Sequence, residues 1–199
     1  MVRDGIIAAL DVGTTKVCCF IAALDDNGLA RVIGIGHHAS DGLKAGSIID
    51  MEAAETSIRA AVHTAEKMAG TTIREVVASI GGGRPSSEVI SRKLSIGNAT
   101  VGDSDMRRLS NDIRTLQQEP HRLMVHAIPT GYAIDGSNGI RDPRGLHGET
   151  LGVNMHLVSI DESTARNLET GIRRCHLDVS EFVLSPYASG LACLVEDEI

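Results

Sequence analysis

Three short apolar runs lie close together at the start of the chain, at residues 6–11, 16–24 and 29–36. The first gap holds Gly13-Thr14-Thr15 and the second holds Asp25-Asp26-Asn27-Gly28, and both compositions are typical of tight turns. The spacing predicts an antiparallel meander of three strands. Because the runs are almost entirely apolar, we expect strands that are buried on both faces, with helices covering this sheet.

An amphipathic helix is predicted after the meander. Asp50 suits the N-cap position and Gly70 suits the C-terminal end. Between them, apolar residues recur with a period near 3.6 residues, which indicates a helix with one buried stripe. The stripe contains Ala54, Ile58, Ala61, Val62, Ala65 and Met68. A further apolar strand is predicted at residues 76–80.

The character of the sequence changes at about residue 84 and changes back at about residue 160. Strands are predicted at residues 88–96, 122–128 and 152–160, with a long Gly- and Pro-rich loop before the last of them. A helix is predicted at residues 103–117, capped by Asp103 or Ser104. Its buried stripe contains Met106, Leu109, Ile113 and Leu116.

After this module the chain returns to a helix at residues 163–175, a strand at 181–184 and a final helix from Pro186, a residue that suits a first helical turn. The order of elements predicts an α/β domain made of residues 1–83 and 161–199. A small α+β module at residues 84–160 is inserted into it.

Composition narrows the possible functions. The 199 residues carry a net charge of -7 and only 2% aromatic residues, which argues against binding nucleic acid by basic patches or base stacking. No signal peptide and no run of about 18 apolar residues is visible, so we expect a cytoplasmic protein without a membrane span. Cys18, Cys19, Cys175 and Cys193 lack metal-binding spacing, and we expect buried thiols.

The segment from Asp11 to Lys16 has the residue types that bind phosphate. Gly13 allows the turn to close and lets phosphate oxygens approach the main chain. The amides and hydroxyls of Thr14 and Thr15 can donate to those oxygens, and Lys16 can add positive charge. Asp11 can hold magnesium through water, because this ion binds few carboxylates and keeps its waters. A purely structural hairpin would use the same residues, and these residues alone do not decide between the two.

Two segments resemble the superfamily of ATPases that contains actin, sugar kinases and heat-shock chaperones. The Asp-x-Gly-Thr-Thr hairpin resembles its phosphate-1 loop, and residues 181–194, EFVLSPYASGLACL, resemble its first connecting helix. Three further segments, at residues 42–50, 126–135 and 139–148, resemble the FtsA family of bacterial cell-division proteins. The resemblance covers nearly the whole chain.

The resemblance implies an actin-like, ribonuclease H-like subdomain 1A at residues 1–83 and 161–199, with an inserted subdomain 1C at residues 84–160. It implies that ATP and magnesium bind in the full-length protein, with weak hydrolysis and an inactive chain at the present length. The phosphate-binding residues would be Asp11, Gly13, Thr14, Thr15 and Lys16. The residue that orients the attacking water would be Glu181, or Ser185 if Pro186 anchors the alignment.

The family resemblance also implies partners. The full-length protein would form filaments with itself, bind FtsZ and contact later division proteins through subdomain 1C. Basic residues of that subdomain could meet an acidic partner, although solvated faces often have the same composition. A C-terminal amphipathic helix would hold the full-length protein on the cytoplasmic face of the inner membrane at the division site.

No second Gly-rich phosphate loop is visible in the sequence. Gly81-Gly82-Gly83 is not that loop, because it precedes the inserted module and lacks an acidic residue before it. We therefore expect the chain to be the N-terminal part of a longer protein. Two alternatives remain: a related ATP-binding docking protein of pilus assembly, and a small-molecule kinase of the sugar-kinase group. The kinase would need a catalytic Asp in a substrate loop, which the sequence does not show.

Overall fold

The computed structural model describes residues 5–114 and 119–194, which form two compact units. One unit contains the residues up to Arg84 and those from Asp161 onwards, and the other contains Pro85–Ile160. Among the described residues, no helix is both long enough and apolar enough to cross a membrane.

The first unit contains seven strands and three helices in its described part. In chain order they are β1 (Ile6–Val12), β2 (Lys16–Leu24), β3 (Ala30–Ala39), β4 (Leu43–Lys44), β5 (Ser47–Ile48), α1 (Met51–Ala69), β6 (Glu75–Ile80), then, after the inserted unit, α3 (Glu162–Arg174), β11 (Asp178–Leu184) and α4 (Ser185–Cys193). The central sheet has the strand order β11-β6-β1-β2-β3, and β4 and β5 form a separate small hairpin.

The meander of β1, β2 and β3 is antiparallel, as the sequence predicts. Strands β6 and β11 extend the sheet on the other side of β1, and both pairings are parallel. In the second turn, one oxygen of the Asp25 carboxylate accepts from the amides of Asn27 and Leu29, and Gly28 has a φ of 79°. This local bonding fixes the β2–β3 turn.

Helix α1 begins and ends where its capping residues predict. The Asp50 carboxylate accepts hydrogen bonds from the amides of Glu52 and Ala53, and Gly70 adopts a left-handed conformation with a φ of 70°. The helix packs against β2 and β3. Two glycines of β3, Gly34 and Gly36, lie so close to the α1 backbone that an added Cβ would overlap it.

The expected helical cover on both faces of the sheet is wrong for the described part of the chain. Helix α1 packs against β2 and β3, and α3 packs against α1 and β11. Buried residues such as Leu10, Cys19 and Ala78 share one face of the sheet. On the opposite face Ile7, Phe20 and Ile35 are between 38% and 41% exposed. The apolar sequence of a strand therefore did not show whether both of its faces are buried or whether one apolar face is partly exposed to solvent.

The second unit is a four-stranded sheet covered by one helix. Its elements are β7 (Ser86–Thr100), α2 (Asp103–Arg114), β8 (Arg122–Ile134), β9 (Ser137–Ile140) and β10 (His147–Asp161). The strand order is β7-β10-β8-β9, so β7 pairs in this sheet and not in the central one. The predicted stripe of α2 is confirmed for Leu109 and Ile113, which are buried, and for Met106, which packs against them. Leu116 lies outside the described residues.

The prediction of a long loop before the last strand of this unit is wrong. Strand β8 continues through Pro129 to Ile134, where it turns directly into β9. The two turn residues, Asp135 and Gly136, have φ values of 50° and 86°, as a two-residue type I′ hairpin requires. The Asp135 carboxylate also accepts from the amides of Glu149 and Thr150, which ties the turn to β10.

Smaller corrections concern the helix starts. Helix α2 begins at Asp103, so neither expected cap precedes it; Gly102 does, and its amide donates to the Asp105 carboxylate. Residues 115–117 of the predicted helix lie outside the described part of the chain. Helix α3 begins at Glu162 after Asp161, one residue before the start that the sequence predicts.

The expectation that all four thiols are buried holds only for Cys19, because Cys193 is exposed and Cys18 and Cys175 are partly exposed. Burial, with smaller contributions from Glu66 and Cys18, raises the pKa of Cys19 to about 12. Alkylating reagents attack the thiolate. At about pH 8, iodoacetamide is therefore expected to modify Cys193 first and Cys19 last.

Peptide mass spectrometry over a time course measures this order. Cys193→Ser should remove the fastest modification without changing the others. Modification of Cys19 in the native protein before Cys193 would contradict the burial of the thiol.

Candidate phosphate-binding site

The carboxyl ends of three parallel strands, β1, β6 and β11, meet at one edge of the central sheet. In α/β proteins this edge is the usual place for a ligand. Asp11 lies near the end of β1 and is paired in register with Ser79 of β6. Ser185 follows directly after β11, as the first residue of α4.

Hydrogen bonds join these three side chains. The Ser79 hydroxyl donates to Oδ1 of Asp11. The Ser185 hydroxyl lies 3.4 Å from the Ser79 hydroxyl and donates to it. Asp11, Ser79 and Ser185 are each partly buried. The Asp11 carboxylate at this edge is therefore held by Ser79 of β6, which Ser185 of α4 contacts in turn.

The hairpin that follows Asp11 places two threonines at its tip. The Gly13 amide donates to the Lys16 carbonyl at 3.0 Å, which closes the turn. Thr14, Thr15 and Lys16 are all exposed. Among the described residues, neither the Thr14 amide nor the Thr15 amide has a hydrogen-bond acceptor. Two amide donors at a turn beside a lysine suit an anion such as phosphate.

The segment of residues 40–46, which contains β4 and the turn after it, is tied to this hairpin. The Gly46 amide donates to Oγ1 of Thr14 at 3.0 Å, and the Ser40 amide donates to the Thr15 carbonyl at 3.1 Å. The Thr14 hydroxyl accepts in this bond, so its own proton stays available for a ligand. This segment thus holds the hairpin tip without using its free donors.

Gly46 also contacts the glycine segment that follows β6. A Cβ on Gly46 would lie 2.7 Å from the Gly82 amide nitrogen, and a Cβ on Gly82 would overlap the Gly46 carbonyl oxygen. Gly46 has a φ of 74°, which disfavours any other residue there. Two backbone segments therefore touch beside the hairpin, and both positions require glycine.

The predicted site residues divide into two groups. Asp11, Gly13, Thr14, Thr15 and Lys16 lie together on the β1–β2 hairpin. Glu181 is exposed in β11 and is paired with Val77, two residues before the level of Asp11 and Ser79. This is about 7 Å along the strand. Ser185, the other candidate from the sequence, is bonded through Ser79 to Asp11.

Sequence reasoning missed Ser79, Gly46 and Gly82. Ser79 is a polar residue in an otherwise apolar part of β6, which is a weak signal by itself. Gly82 was considered only as part of a second phosphate loop, which it does not form. The parallel pairing of β1 with β6, 68 residues apart for Asp11 and Ser79, brings these positions together.

One carboxylate beside a turn whose donors suit phosphate fits a magnesium ion, because magnesium usually takes one or two carboxylates, several waters and phosphate oxygens. Oδ1 of Asp11 accepts from Ser79, and no described residue donates to Oδ2. Among residues 5–114 and 119–194, no three His, Cys, Asp or Glu side chains form a metal-binding group. The residues therefore suit an ion that arrives with its phosphate ligand.

Comparison with known proteins shows which proteins this chain is similar to. Residues 82–159 match the family model described as the SHS2 domain inserted in FTSA. The cell division protein FtsA of Agrobacterium fabrum is 39% identical over 207 residues, covering 99% of this chain and 47% of that protein. FtsA of Pseudomonas aeruginosa is 31% identical and FtsA of Escherichia coli K12 is 28% identical, with 96% and 97% of this chain covered and 46% of each relative.

The chain therefore spans about half the length of these relatives. Among solved structures, a chain of the PilM–PilN type IV pilus biogenesis complex matches with a TM-score of 0.58 over 93% of this chain and 49% of that one. Their sequences are 11% identical, so this likeness concerns the fold alone. The fold is mixed α/β, an actin-like subdomain with an SHS2 insertion. The chain is a homologue of the FtsA cell division proteins over about half of their length.

Proposed function

We propose that this chain supplies one wall of the ATP site of an actin-like protein of bacterial cell division. In this proposal the full-length protein forms filaments, links the FtsZ ring to the membrane and recruits later division proteins. Its C-terminal amphipathic helix binds the cytoplasmic face of the inner membrane. The homology to FtsA cell division proteins supports the general role.

One observation carries the nucleotide part of the proposal. At the carboxyl ends of three parallel strands, an oriented Asp11 carboxylate lies beside a Gly-Thr-Thr turn with two amide donors that have no acceptor among the described residues. Gly13, Thr14, Thr15 and Lys16 would contact phosphate oxygens, and Asp11 would hold magnesium through water. The bound ion would neutralise phosphate charge during hydrolysis.

The residue that orients the attacking water remains a proposal with two candidates. Glu181 carries a carboxylate, but its place in β11 is level with Ala9 and not with Asp11. Ser185 lies at the site but has no basic group. The family is expected to hydrolyse ATP slowly. Slow hydrolysis is compatible with a site where Ser185 and Asp11 only position the attacking water and no strong general base removes its proton.

The inserted unit is the proposed surface for contacts with other copies of the protein and with later division proteins. Basic side chains on β7 and α2, such as Arg92, Lys93 and Arg107, support contact with an acidic surface. We propose that this unit is subdomain 1C and that the remaining residues form subdomain 1A.

Removal of the inserted unit tests this assignment. The Asp161 amide donates to the Gly83 carbonyl at 2.7 Å, and Arg84 forms an ion pair with Asp161 at 2.8 Å. The two ends of the first unit are therefore adjacent, and a short Gly-Ser linker can replace residues 85–160. We expect the full-length protein with this replacement to lose nucleotide-dependent assembly, measured by sedimentation and electron microscopy.

Two control measurements show whether a loss of assembly comes from the missing unit or from misfolding of the remaining protein. Circular dichroism and thermal unfolding should show that the remaining protein is folded, and magnesium–ATP binding should be retained. Filaments that form to the same extent without residues 85–160 would show that the inserted unit is not the assembly surface.

The alternative of a docking protein for pilus assembly has less support. The structural likeness to the pilus complex concerns the fold, whereas the FtsA relatives match at the level of sequence. The alternative of a sugar kinase finds no support in the SHS2 insertion of the FtsA type.

A further inference from the structure

The Ser79 side chain is one of the features of this site that the sequence did not indicate. It lies in β6, where the residues on either side, Ala78 and Ile80, are buried and apolar. Its register partner on β1 is Asp11, so both side chains project from the same face of the sheet. Its hydroxyl donates to Oδ1 of Asp11, which leaves Oδ2 without a donor among the described residues.

The proton of Ser79 fixes the direction of the hydrogen bonds. A serine hydroxyl has one proton and two lone pairs. Since an ionised carboxylate can only accept, Ser79 gives its proton to Asp11 and accepts from Ser185. The chain of bonds therefore runs from Ser185 through Ser79 to Asp11. It connects the first residue of α4 to the carboxylate.

We propose that Ser79 is a positioning residue for magnesium: it orients the Asp11 carboxylate so that Oδ2 faces the waters of the ion. This inference rests on the proposed nucleotide site. The terminal torsion angle of an aspartate side chain, χ2, has a broad distribution, so the carboxylate can rotate unless another group holds it. Groups that hold a metal-binding carboxylate in this way commonly change metal affinity by about 10-fold or more.

Ser185 extends the effect to α4. Its bond to Ser79 is 3.4 Å long, so it contributes less than the bond between Ser79 and Asp11. Because Ser185 is the first residue of α4, this chain of hydrogen bonds ends on that helix.

The test measures how much magnesium strengthens ATP binding by the full-length protein. Calorimetry with ATP in excess magnesium and in EDTA gives two dissociation constants, and their ratio is the magnesium effect. Ser79→Ala is expected to reduce this ratio by about 10-fold, while binding in EDTA stays unchanged. Ser79→Thr keeps the hydroxyl and should restore the ratio. Ser185→Ala should give a smaller reduction.

Ser180→Ala is the matched control, because the Ser180 hydroxyl also bonds to β6 but donates to the Val76 carbonyl at 3.0 Å, away from the site. It should leave the ratio unchanged. If Ser79→Ala does not fold, Ser79→Cys replaces it, since a thiol of similar size is a weak donor.

Asp11→Ala separates this inference from the proposed function. If Asp11→Ala lowers the magnesium effect but Ser79→Ala and Ser79→Cys do not, Ser79 has no positioning role and the nucleotide site stands. An equal loss of affinity in magnesium and in EDTA would also overturn the inference, because it indicates a structural role. If Asp11→Ala itself changes nothing, the proposed role of Asp11 is wrong.

Discussion

The 199-residue chain alone is expected to bind magnesium–ATP with a dissociation constant of roughly millimolar or weaker. Each charge-assisted hydrogen bond to phosphate contributes on the order of 1.5–3 kcal/mol. A micromolar site needs about 8 kcal/mol after the entropy of association is subtracted. The hairpin offers two or three such bonds to a solvated triphosphate and no adenine pocket. The bonds are therefore too few for tight binding.

The full-length protein should bind magnesium–ATP far more tightly, and Asp11→Ala should remove most of that affinity. Loss of the carboxylate would remove the group that we propose holds the hydrated ion, so metal and phosphate binding should weaken together. Calorimetry on both proteins measures the difference. Asp26→Ala is a suitable control, because Asp26 is an exposed carboxylate in the next hairpin, between β2 and β3.

Two outcomes would contradict this view of the site. Micromolar binding by the 199-residue chain would mean that the nucleotide cleft lies elsewhere. Equal affinities for the Asp11→Ala and Asp26→Ala proteins would mean that the β1–β2 hairpin does not bind the phosphates of the nucleotide.

Local signals predicted most of the secondary structure. Asp50 and Gly70 set the ends of α1 because capping depends on residues within one turn of the helix. The turn at Asp135-Gly136 could also have been predicted from its own two residues, since Asp-Gly is a strong hairpin signal. It was missed because Pro129 suggested a loop, whereas Pro129 lies in β8 ahead of its first pairs with β9.

The candidate site, which remains a prediction, could be proposed from the sequence only where its residues are close together in the chain. The hairpin from Asp11 to Lys16 is continuous in sequence, and the chemistry proposed for it rests on five of these six residues. The contribution of Ser79 depends on which strand pairs with β1 and in which register. The choice between Glu181 and Ser185 depends on the same register in β11. Register over such separations is a property of the packed sheet and not of any single segment.

The expected cover of the sheet failed for a related reason. An apolar side chain in a strand favours burial, but it does not specify which element provides the burial. The open face with Ile7, Phe20 and Ile35 carries the same apolar character as the face beneath α1. Sequence patterns therefore predicted the strands correctly but did not determine which face of the sheet is covered by helices.

Gly36→Ala is expected to destabilise the first unit by about 3 kcal/mol or more. A Cβ at Gly36 would overlap the Ala61 carbonyl oxygen and lie 2.7 Å from the Ala65 amide nitrogen. Both atoms belong to the backbone of α1, so no side chain can rotate to make room. The helix must move away from β3, and the buried contacts of Ala61 and Ala65 are lost with it.

Chemical denaturation of the wild-type and variant chains measures this loss, with Gly131→Ala as the control. Gly131 also lies in a strand, but an added Cβ there meets nothing within 4 Å. Because alanine restricts the unfolded chain more than glycine does, Gly131→Ala should be neutral or slightly stabilising. If Gly36→Ala costs no more than Gly131→Ala, α1 is not packed directly on the backbone of β3. The contact that fixes the helix above the sheet would then have to come from side chains instead.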